Sequence, residues 1–97
     1  MIELSKIIEN KTYPESGTDL FNILSCAIQN NEKICIDMKD VNSLPTLFLN
    51  SSFGKTIELY GDNILKRTIV FLNINKTQAE RIQEYIKKFV AVIKGEN

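Results

Sequence analysis

Six side chains between Asp37 and Ser51 have the types and spacing to do chemistry: Asp37, Asp40, Ser43, Thr46, Asn50 and Ser51. Two carboxylates three residues apart at the end of a strand can hold a metal ion or divide acid and base work. No further ligand or nucleophile follows at a recognisable spacing, and capping of nearby amides explains Asp37 and Asp40 equally well. Ser43 and Thr46 flank the start of a predicted helix, where free amides and the positive end of the helix dipole favour an anion or a phosphoryl group. A plain helix cap is the competing account of these two hydroxyls. Ser51 and Ser52 lie a turn further in, where the amides are already used. Ser51 groups with Asn50, Gly54 and Glu58 on a polar side, a candidate partner surface for which plain solvation or packing is the favoured account. Ser52 falls beside Phe48, Leu49 and Phe53, where a small residue lets the helix approach the sheet.

The rest of the composition removes most enzyme classes. The chain has no histidine, so Ser-His-Asp and Cys-His catalysis are out and a zinc site has few ligands to draw on. Cys26 and Cys35 sit in apolar runs and are expected to be buried thiols. No catalytic residue, metal or cofactor is therefore expected. Twelve basic residues balance twelve acidic ones, which gives no excess charge to attract nucleic acid or an anionic membrane. The halves before and after Gly54 carry −3 and +3, a mild asymmetry that salt screens within about 10 Å. No signal peptide and no apolar run near the ~18 residues of a membrane span is present, so a cytoplasmic protein is expected.

The elements that would position these residues follow from periodicity. With 97 residues and 43% hydrophobic content, a single domain over 1–97 is expected. Ile2 to Ile8 reads as a first strand, ended by a loop carrying Pro14 and Gly17. From Thr18 or Asp19 as cap, Leu20, Ile23, Leu24, Ala27 and Ile28 recur at helical spacing. Lys33 to Met38 reads as a central strand with Asp37 near its end. Pro45 opens a helix over Thr46 to Tyr60, whose Leu49, Phe53, Ile57 and Tyr60 form a stripe. Gly61 and Asp62 end it, NILKR leads into a strand at Ile69 to Leu72, and Thr77 with Glu80 has the form of a capping box. Ile82, Ile86, Phe89 and Ile93 then mark the last helix. The order is β-α-β-α-β-α: an α/β layered domain with a sheet of about four strands or fewer and three main helices.

The segment KICIDMKDVNSLPTLFLNSSFGK resembles the STAS domain and, more closely, the STAS-like domain family of unknown function. The resemblance rests on Ile36 and Asp37 at the strand end, then on Thr46, Phe48, Leu49, Phe53 and Gly54 along the helix. It extends from about residue 16 through TIVFLNI to the closing helix. Bacterial STAS domains include antagonists of anti-sigma factors that bind a histidine-kinase-like ATPase and are switched at a serine in a D-S-S-G motif. Aligned on Asp37, that motif stands opposite Pro45, Thr46, Leu47 and Phe48, which puts Leu47 at the acceptor place and Thr46 before it. The resemblance implies a non-enzymatic regulatory or adaptor domain acting by protein–protein contact. A kinase-like ATPase is the partner by analogy, and either a monomer or a homodimer is expected. The alternative is a small-ligand or nucleotide-binding module using the helix N-terminus at Thr46.

Overall fold

A computed structural model describes residues 1–42 and 44–95. Three parallel strands, β1 (Ile2–Glu3), β2 (Ile34–Asp37) and β3 (Ile69–Leu72), form a sheet in the order β1-β2-β3. Between and after them run α1 (Leu4–Ile8), α2 (Tyr13–Gln29), α3 (Thr46–Leu49), a π-turn (Asn50–Gly54), α4 (Lys55–Tyr60), α5 (Ile64–Thr68) and α6 (Lys76–Ile93). The junction residues of α3, the π-turn and α4 are all helical, so residues 46–60 make one continuous rod.

Register explains which side of the sheet is covered. Ile2, Ile36 and Phe71 align across the strands, as do Ile34 and Ile69, and aligned residues share a face. That face meets the helices: Ile36, Leu20, Leu24, Phe48, Leu49 and Phe53 are all buried in one cluster. Burying each such side chain contributes about 1.5–3 kcal/mol. The other face carries Glu3, Cys35, Asp37, Val70 and Leu72; Asp37 is buried there, while the β3 side stays open, with Val70 45% exposed and Leu72 37% exposed.

Several expectations are corrected. The first strand ends at Glu3, because Leu4, Ile7 and Ile8 have helical spacing and turn as α1 into the core. The second helix starts at Tyr13, five residues before Thr18. Thr12 caps it by accepting the Glu15 amide at 3.3 Å, and Pro14 sits in the first turn, where no N–H is needed. The capping box is Asn75 with Gln78, two residues upstream of Thr77 and Glu80. NILKR is mostly helical rather than a connection, and the described helices outnumber the three expected. Cys26 is exposed, on the outer side of α2, and Cys35 is half-buried on the open sheet face. The sheet has three strands, within the expected size.

Candidate functional site

The loop from β2 to the rod, described at residues 38–42, 44 and 45, is braced from three directions. Asp37 Oδ1 accepts the Lys39 amide at 3.0 Å and the Asn73 side-chain amide at 2.8 Å, tying the end of β2 to the end of β3. These two bonds, with the Lys39 charge, hold the Asp37 carboxyl below its usual range against a smaller upward push from burial. Gln78 Nε2 donates to the Val41 carbonyl at 2.7 Å, and Arg81 Nε donates to that of Leu44 at 3.3 Å. Met38, Val41 and Leu44 plug the same loop into the core. Asp37 is only 9% exposed, so its role here is to fold the loop. Asp40 faces outward in a left-handed conformation (φ 65°), beside Asn42. The two carboxylates therefore have different surroundings, and no cluster of three or more potential metal-ligating side chains exists among the described residues. Ser43 lies outside the described residues.

Thr46 and Leu47 open the rod on its exposed side, Leu47 at 61% exposure. The Thr46 hydroxyl accepts from Arg81 Nη2 at 3.2 Å, and both line a cleft of about 400 Å³ with Glu84, Tyr85 and Lys88. One turn on, Asn50 is exposed and its Oδ1 accepts the Tyr85 hydroxyl at 2.6 Å. Burial, with the Glu58 carboxylate adding to it and Arg81 opposing, pushes the Tyr85 phenol up to about 12. Thr46 and Asn50 thus stand in one row along the rod, each joined to α6.

The serine pair has a different role. A π-turn winds more loosely than an α-helix and leaves carbonyls without their usual amides. Ser51 Oγ donates to the Leu47 and Phe48 carbonyls at 2.9 and 3.2 Å, and Ser52 Oγ to Phe48 at 2.7 Å. Thr56 Oγ1 does the same for Ser52 at 2.8 Å. Ser51 is half-buried against α2: a Cβ at Gly17 would clash with its Oγ and stand 2.7 Å from the Phe48 carbonyl oxygen. Gly54 is buried as well, with Tyr85 and Phe89 of α6 against it. The expected polar side of Asn50, Ser51, Gly54 and Glu58 is corrected to Asn50 and Glu58, because α2 and α6 flank the rod and need small residues there. Gly17 and Gly54 were the signals for this close approach, each a glycine within a helical segment.

A cleft of about 500 Å³ lies at the opposite end of the strands, between Ile28, Lys33, Ile64 and Arg67. Of its cations, Lys66 and Arg67 lie in the last turn of α5, where the helix dipole is negative, and Lys33 follows the end of α2 by four residues.

A family model described as the STAS-like domain of unknown function (DUF4325) matches residues 16–79, from the first turns of α2 to the start of α6. The chain belongs to the STAS-like domains of unknown function. The match takes in the braced loop, the rod and β3, which are the parts of this STAS-like domain that hold Asp37, Asp40, Thr46, Asn50 and Ser51. Neither the curated proteins nor the solved structures contain a match to it. No helix among the described residues is long and apolar enough to cross a membrane.

Proposed function

We propose that this STAS-like domain is a non-catalytic regulatory module that binds a protein partner through the 38–45 loop and the start of the rod. Leu47 is the observation that carries the reading. It is a large apolar side chain, 61% exposed, at the first turn of a rod that buries Phe48, Leu49, Phe53 and Ile57; Leu59, 62% exposed, lies at the rod's far end, away from the loop. Nothing in the domain's own packing requires leucine there, whereas burial against a partner would contribute about 1.5–3 kcal/mol. The loop beside it is held by Asp37, Gln78 and Arg81, so little ordering would be needed on binding.

By analogy with the related STAS domains, a histidine-kinase-like ATPase is the partner class to test. The hydroxyl nearest the family's acceptor place is Thr46, and its neighbour Arg81 would pair with a phosphate placed there. The experiment is co-purification with, and phosphorylation by, such ATPases. Stable binding, with any phosphate mapped to Thr46, supports the reading. Failure to bind any of them, with ligand-dependent thermal stabilisation by nucleotides alone, would favour a small-ligand module at the Thr46–Arg81 cleft instead.

A further inference from the structure

The open edge of β3 and the groove beside it form a second surface, separate from the loop and Leu47. Among the described residues, β3 pairs only with β2. Its sequence IVFL has no charge, proline or bulge of the kinds that protect sheet edges. The Met38 amide donates to the Leu72 carbonyl at 2.9 Å, so Val70 and Leu72 direct their backbone groups toward β2. By alternation the Phe71 amide and carbonyl point outward. The Ile69 amide is taken by the Leu65 carbonyl, which leaves its own carbonyl free for an added strand.

Alongside runs an apolar groove of about 310 Å³ walled by Phe53, Phe71, Ile82 and Ile86. Its one charged lining residue is Lys66. Lys66 and Arg67 precede β3, form no ion pair among the described residues, and Lys76 lies just past its other end. A second copy pairing antiparallel through β3 would bring each Lys66–Arg67 pair toward the other copy's Lys76, and facing like charges oppose that arrangement. We infer that the β3 edge accepts, as a fourth strand, an extended segment of another protein that alternates apolar and acidic residues. Its apolar side chains would enter the groove; its carboxylates would lie on the open face, the nearest of them drawn to Lys66 at the groove's end.

The test uses the full chain and two fluorescein-labelled eight-residue peptides, one alternating valine with glutamate and one alternating valine with lysine. Anisotropy should show the glutamate peptide binding at least about ten-fold more tightly. Lys66→Glu, at an exposed position, should weaken that peptide by about five-fold, the scale of one exposed charge contact. At saturation, hydrogen exchange at the Phe71 amide should slow. Equal affinity for both peptides, no binding of either at millimolar concentration, or binding without protection of Phe71 would overturn the proposal. So would Phe71 protection in the peptide-free chain that rises with protein concentration, because the edge would then be closed by self-pairing.

Discussion

Gly17→Ala should destabilise the fold although it improves a helix. Gly17 lies within α2, where alanine is intrinsically better by about 0.8–1 kcal/mol. A Cβ there would clash with Ser51 Oγ and stand 2.7 Å from the Phe48 carbonyl oxygen. The hydroxyl can rotate, but it already donates to the Leu47 and Phe48 carbonyls. The carbonyl oxygen is backbone and cannot move without shifting the rod. Overpacking of this kind costs about 1–3 kcal/mol, and two contacts this short belong at the upper end. The net loss should be about 1–2 kcal/mol, a fall in Tm on the order of 5–15 °C for a domain of this size. Thermal and urea unfolding of wild type, Gly17→Ala and Gly17→Ala/Ser51→Ala would measure it. The double variant should recover less than half of the loss, since the Phe48 oxygen and Ser51 Cβ remain in the way. A single variant as stable as wild type would refute the close contact between α2 and the π-turn.

Asp37→Asn should flatten the acid limb of the stability curve. A depressed carboxyl stabilises the fold above its unfolded pKa, near 3.8, and that contribution disappears as pH falls through the lower folded value. Wild type should therefore lose stability below about pH 4 more steeply than the variant in acid titrations followed by circular dichroism. Tyr85 should ionise near 12 when absorbance at high pH is followed, and Tyr85→Phe should remove that step. Its stabilising share is complete below the ordinary tyrosine range and fades as pH rises toward 12. Loss of the Asn50 bond in that variant should cost about 0.5–1.5 kcal/mol in denaturant titration. Ser52→Ala removes one of two hydroxyls from the buried Phe48 carbonyl and should cost about 1 kcal/mol by the same measurement.

The apolar stripes were legible in the sequence because burial and periodicity coincide. Leu49, Phe53 and Ile57 face the core as their spacing predicts, and so do Leu20 and Leu24. What stayed hidden had no periodic signature. Pro14 and Gly17 read as loop punctuation, yet one fits a first helical turn and the other a helix–helix contact. Leu4, Ile7 and Ile8 are too short a run to separate strand from helix. At the candidate site, Asp37 and Thr46 sit at the element ends where the pattern put them. Their partners Asn73 and Arg81 lie about 35 residues away in sequence, and nothing local links them. The serine pair read as one polar surface residue and one small packing residue. Its hydroxyls are committed to the carbonyls that the π-turn opens.

The most direct test of the partner-binding account is a calorimetric titration of this domain, wild type and Leu47→Glu, into a kinase-like ATPase with which it co-purifies. Leu47 is exposed, so the variant should fold with an unchanged Tm. The account predicts that it loses at least about ten-fold in affinity, since an interface apolar residue is worth more than about 1.4 kcal/mol when replaced by a charge. Equal affinity of the two proteins, with both folded, would contradict it.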